Sequence, residues 1–136
     1  MSTALTALLA ATAVHAGFQT TVTLLVYPAL ARVPAEQWAD AHRRHSRTIT
    51  PLVGVVYGAL LLSTGWAVVT ETRLWTLVTA VAVGATLVTT GFAARLHGRL
   101  GTGHDRQLLA TLLRVDRVRA VTAVTALVAC LVAVCS

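Results

Sequence analysis

The sequence predicts an all-α protein, an integral membrane four-helix bundle with a short interfacial amphipathic helix between its first and second spans. Three observations predict it. Of 136 residues, 56% are hydrophobic and only 12% charged, too apolar a balance for a small soluble domain. Four apolar stretches follow one another, at roughly Ala4 to Ala31, Leu52 to Thr70, Leu74 to His97 and Leu108 to Val134. The basic charge is carried wholly by arginine, 11 residues in all, and gathers beside two of the three connections. Each stretch is near or beyond the ~20 residues that cross a hydrocarbon core of about 30 Å. The runs of Ala, Val, Leu and Thr lack the period-two alternation of a membrane barrel. Residues 1–136 therefore read as a single four-span domain, with no length left for a soluble one.

The first stretch has no basic segment ahead of it and outruns the apolar part of a signal peptide, so it reads as a permanent helix. An ionisable residue is expensive inside a bilayer, which makes His15 its most informative position. Thr12, His15, Gln19 and Thr23 share one helical stripe, expected to face the bundle or a wet cavity. The structural alternative is a neutral histidine satisfied by hydrogen bonds to neighbouring helices.

Pro34 and Pro51 bracket the interfacial helix, since proline suits a first turn and discourages continuation. At 100° per residue Trp38, His42, His45 and Ile49 fall within about 60° of one another. Glu36, Asp40, Arg43, Arg44 and Arg47 occupy the other side. The helix is expected to lie at the membrane surface under the bundle. His42 and His45, at i,i+3, place two imidazoles about 5 to 6 Å apart, near enough to share a metal ion. A third ligand would come from His97, His104 or His15, and Glu36, Asp105 or Asp116 would balance charge. The alternative is that the pair bonds lipid headgroups or loop carbonyls.

On the second span Gly54, Gly58, Leu61 and Gly65 align as a close-packing face, bordered by Tyr57 and Thr64. That face would pack within the chain or make a homo-oligomer. The third span carries Thr76, Thr79, Thr86, Thr90 and His97 within about 80° of one line. Threonines often bond their own helix carbonyls, so this strip alone argues little. Gly98 to Gly103 reads as a flexible turn; no strand precedes it and the lysine of a phosphate loop is absent. Cys130 and Cys135 lie about 140° apart on the last helix, poorly placed for a disulfide.

Positive charge in short loops stays on the cytoplasmic side. Arg32, Arg43, Arg44 and Arg47 belong to the first connection, and Arg95, Arg99, Arg106, Arg114, Arg117 and Arg119 lie in or beside the third; only Arg73 marks the second. The chain is expected in the inner (plasma) membrane, both termini outside and the active face cytoplasmic. The net charge of +6 follows from topology and calls for no nucleic acid. A haem would need a second histidine at mid-span opposite His15, and a proton-coupled transporter would need carboxylates near the span centres.

Gly17-Phe18-Gln19, Tyr27-Pro28-Ala29-Leu30, Val33-Pro34 and His42-Arg43-Arg44-His45 resemble the start of a family of small four-span membrane proteins of bacteria and fungi. Leu96-His97-Gly98-Arg99-Leu100 and Leu112-Leu113-Arg114-Val115-Asp116-Arg117-Val118-Arg119 are similar to its second half. That family, defined by an uncharacterised domain, includes the anthrone oxygenases of polyketide pathways. The resemblance implies a tailoring enzyme of natural-product biosynthesis with oxygenase-like redox chemistry on a small molecule. Small membrane proteins of such pathways are also implicated in nitrite-dependent nitrosation, the diazotisation of an amine. A non-enzymatic subunit or small-molecule exporter is the remaining class.

In the enzyme reading, His42 and His45 are metal ligands or acid–base groups, with a transition metal ion as the cofactor if they ligate. His15 and Gln19 bind substrate or shuttle protons beside Thr23, Tyr57 is a donor, and His97 and Asp116 are further binding candidates. Histidine suits proton transfer near neutral pH.

Overall fold

The computed structural model describes residues Met1 to Ser136 and is all-helical, without a strand. Helix α1 spans Thr3–Thr21, started by Ser2, whose hydroxyl accepts from the Leu5 N–H at 3.2 Å. It continues through a wider π-helical segment, Val22–Val26, into α2, Tyr27–Ala31. Pro28 accounts for the widening. A proline inside a helix gives no N–H to the preceding turn and crowds its carbonyl, and a five-residue step, seen where the Tyr27 N–H bonds the Val22 carbonyl, carries the chain past it.

A 3-10 turn, Ala35–Gln37, leads into α3, Trp38–Thr70, which runs on without a break. The expected separate interfacial helix is thus the first part of α3, and Pro51 lies inside that helix. Pro51 and Arg47 are both exposed, so the one carbonyl that loses its helical partner sits on the outer face. The faces are as expected: Trp38 and His42 are buried, while Arg43, Arg44 and Arg47 are exposed.

Helix α4 spans Leu74–Leu100 and α5 spans Arg106–Cys135. Asp105 starts α5, accepting from the Gln107 and Leu108 N–H groups at 2.8 and 3.0 Å. The glycine turn is shorter than expected, because buried Leu100 stays helical and its carbonyl accepts from Trp38 Nε1 at 2.9 Å. Gly101 follows where space is tight: a Cβ there would lie 3.1 Å from the Gly98 carbonyl oxygen and 3.7 Å from the His42 ring.

The long helices pack α1 on α3, α3 on α4, α4 on α5 and α5 on α1. Each is long and apolar enough to cross a membrane, α1 to α2 counting as one and α3 with its leading turn as another. At one end a core forms around Val22, Tyr27, Leu30, Trp38, Leu100 and Leu112. At the other, Ala4, Leu8, Ala67 and Cys130 meet, Ser2 bonds Glu71, and Arg73 Nη1 donates to the Ala133 carbonyl at 2.9 Å. Both termini therefore share an end with the α3–α4 connection.

The glycine face of α3 does not pack within the chain. A Cβ at Gly54, Gly58 or Gly65 would meet nothing within 4 Å. The inward face is set instead by Tyr57, Leu60, Thr64 and Ala67, about 100° around the helix. The threonine strip of α4 does face inward, with Thr76, Thr79 and Thr86 buried. Cys130 and Cys135 are both free.

Candidate functional site

The stripe of α1 is buried as its spacing predicts, with His15 1% exposed and Thr12 and Gln19 fully enclosed. Its partner comes from α5. Gln19 Nε2 donates to Asp116 Oδ1 at 2.8 Å, and Thr23, turned by the π segment, donates to Asp116 Oδ2 at 2.5 Å. One turn on, Arg119 Nη1 reaches Asp116 Oδ1 at 3.2 Å, and its Nη2 donates to the Tyr57 hydroxyl at 2.9 Å. Tyr57 in turn lies 2.9 Å from Thr90 Oγ1, which gives its own hydrogen to the Thr86 carbonyl at 2.7 Å. The tyrosine therefore donates to Thr90 while accepting from Arg119. One polar layer thus joins α1, α3, α4 and α5.

This arrangement brings several of the expected site residues into one network. Gln19, Thr23 and Asp116, expected to bind substrate, bond one another and hold Arg119, while Gln19 Oε1 is buried without a partner. Arg119, counted in sequence as a loop charge, is 5% exposed and internal. The signal for it was present: Asp116 and Arg119 stand at i,i+3, the spacing of a helical ion pair, between apolar runs. His15 packs its ring edge-on to Tyr57, centroids 4.9 Å apart, and neither of its ring nitrogens has a partner in the chain.

Toward the arginine-rich end lies a second layer. The expected pair gains His97 from α4: its ring centroid is 4.3 Å from that of His42 and 5.5 Å from that of His45. His104 leaves the group and packs against Trp38 at 5.0 Å. The His42 and His97 rings stack at a 37° tilt, which turns ring faces, rather than nitrogen lone pairs, toward each other. No group of three or more His, Cys, Asp or Glu side chains is placed to hold a metal ion. The residues present thus do not fit a metal centre built on His42 and His45.

What the imidazoles can do is move protons. Ser46 Oγ donates to the His42 carbonyl at 2.8 Å and lies 3.0 Å from His97 Nε2. A hydroxyl has one hydrogen, so His97 must donate from Nε2 to the serine oxygen. In the neutral ring Nδ1 then carries the lone pair, and it is buried without a partner.

Between α3 and α4 a cavity of about 230 Å³ connects the two layers. Tyr27, His45, Thr90, His97 and Arg119 contribute its polar wall, and Ile49, Val53, Ala93 and Ala94 its apolar wall. His42 stands behind His97, outside the lining, and Tyr57 reaches the cavity only through Arg119 and Thr90. Tyr27 and Ser46 were not anticipated; Tyr27 precedes the proline that forces the π segment, the one local cue to its position. The chain matches no family model, no curated protein and no solved structure in the comparisons made.

Proposed function

We propose that the chain is an integral membrane enzyme that removes a proton from an activated carbon of a small ring compound and exposes the resulting carbanion to dioxygen. The observation that carries this reading is one cavity lined by His97, its lone pair fixed on Nδ1, by His45 and by Arg119, together with the apolar side chains of Ile49, Val53 and Ala93. The resemblance to anthrone oxygenases agrees with it. For an activated methylene, two C–H bonds break and one C=O forms, and the second oxygen atom of O2 leaves as water. Carbon loses four electrons and O2 gains four, so substrate and dioxygen balance the reaction. His97 is the base and His45 the neighbouring proton carrier, while His42 packs its ring on His97.

Membrane insertion is supported by the four apolar helices and by large apolar side chains pointing outward on them, such as Val14, Leu62, Val81 and Val121. A soluble protein rarely exposes so continuous an apolar surface. The 33 residues of α3 extend about 50 Å, against about 30 Å of hydrocarbon, so the histidine end stands at the headgroup level, on the side the arginines assign to the cytoplasm.

The test is oxygen uptake by the purified chain in lipid nanodiscs supplied with anthrone-type substrates, with metal analysis of the same sample. Uptake matched mole for mole by quinone supports the reading. Uptake no faster than in empty nanodiscs refutes it.

A further inference from the structure

The Asp116–Arg119 pair is buried, yet its two members are not equally satisfied. Asp116 has Gln19 and Arg119 on Oδ1 and Thr23 on Oδ2, and it is not part of the cavity wall. Arg119 has five N–H donors, of which two are used inside the chain, and its buried Nε has no partner. It does line the cavity. The ion pair is therefore a dipole with its negative end turned to α1 and its positive end toward the open space. The other polar groups on that space are Tyr27 from α2, His45 and Thr50 from α3, and Thr90 and His97 from α4. No carboxylate is among them.

We infer that Arg119 anchors a substrate oxygen bearing negative charge, a phenolate or enolate, so that the cavity selects acidic phenols and enols over amines. The inference deepens the proposed function and rests on it. As a proton leaves carbon for His97, the charge spreads to the conjugated oxygen, and a guanidinium already aimed there stabilises it without reorganisation. A guanidinium fork suits a planar oxygen acceptor, whereas an ammonium would meet a like charge. The volume of about 230 Å³, below the ~300 to 1,000 Å³ of common ligand pockets, suits a compact ring system. Ile49, Val53 and Ala93 offer the apolar surface that the ring faces need.

Para-nitrophenol tests the anchor directly, because only its ionised form absorbs strongly in the visible. With protein in nanodiscs in excess over the probe, the bound phenol is expected to ionise at a pH lower by about one unit or more than in empty nanodiscs, as an opposite charge nearby dictates. Arg119→Gln is expected to abolish the difference and Arg119→Lys to keep part of it. Asp116→Asn, which leaves the guanidinium uncompensated, is expected to enlarge it; a merely structural Arg119 would not produce that gain. Helicity and size-exclusion profiles identify folded samples. Equal titrations for the parent protein, folded Arg119→Gln and empty nanodiscs would overturn the inference, as would folded Asp116→Asn behaving like the parent. Should Arg119→Gln not fold, folded Arg119→Lys and Asp116→Asn decide by the same criteria. A shifted titration without oxygen uptake leaves the anchor standing and removes the redox reading; uptake without a shift removes the anchor alone.

Discussion

In the proposed reading Ser46 and His97 together make the base, and each can be removed separately. His97→Ala deletes the lone pair and is expected to lower turnover about 10² to 10⁴-fold, the range of a lost general base. Ser46→Ala keeps the imidazole but frees its tautomer; losing one neutral hydrogen bond of roughly 1 kcal/mol should lower turnover by less than about tenfold. Arg43→Ala and Arg44→Ala, on the exposed face of α3, should leave turnover near the parent level. The ion pair carries a stability prediction of its own. Arg119→Ala leaves the carboxylate of Asp116 buried with donors but no counter-charge, and breaking one side of a buried pair costs about 3 to 5 kcal/mol. Thermal unfolding of Arg119→Ala should show a large loss, and adding Asp116→Asn to it should recover much of that loss. If the double variant is no more stable than Arg119→Ala, the charge pairing is not what Asp116 contributes.

At the scale of elements, two prolines that look alike in sequence behave differently. Pro51 has no close packing to disturb, and α3 passes it with one carbonyl unpaired on the outer side. Pro28 sits where Tyr27 is buried in the core, and there the helix widens. The π segment rotates everything after it relative to α1, which is how Gln19, Thr23 and Tyr27 can all face inward. Pro28→Ala, which restores the missing N–H at an unchanged residue count, should let the segment become ordinary α-helix and swing Tyr27 about 100° away from the cavity. Helical content measured by circular dichroism should stay, and turnover should fall with it unchanged. Full turnover in Pro28→Ala would show that the widened turn has no part in the site. This element was not legible in advance, because periodicity reports the average step of a helix and not one wider turn. The interfacial helix was legible in its faces but not in its end, since proline propensity is local and the packing of Trp38 and His42 overrides it.

For the molecule as a whole, the four apolar helices were readable from composition and run length, because crossing hydrocarbon demands both. The stripe from Thr12 to Thr23 was readable for the same reason, a polar residue in an apolar helix having one tolerable direction. The cavity was not, since it depends on which histidine of α3 meets His97 of α4, and that is set by how far each helix slides along its neighbour. Sequence spacing accordingly did not show that His97 and Arg119 share one cavity, or that His42 lies outside its lining. The proposed topology places residues 43 and 101 inside the cell and residue 72 outside. In a background with Cys135→Ser, a membrane-impermeant thiol reagent should label Thr72→Cys in intact cells and leave Gly101→Cys unlabelled; the reverse pattern would invert the orientation.

The central claim is that the cavity removes a proton from carbon before oxygen takes part, and that step can be isolated by leaving oxygen out. In deuterated buffer under strict anaerobiosis, nanodisc-bound protein should exchange the hydrogens of an anthrone-type methylene for deuterium faster than empty nanodiscs do, as read by mass spectrometry. His97→Ala should return the exchange to background while remaining folded. Oxygen-dependent turnover with no anaerobic exchange above background, or exchange indifferent to His97→Ala, would contradict the account.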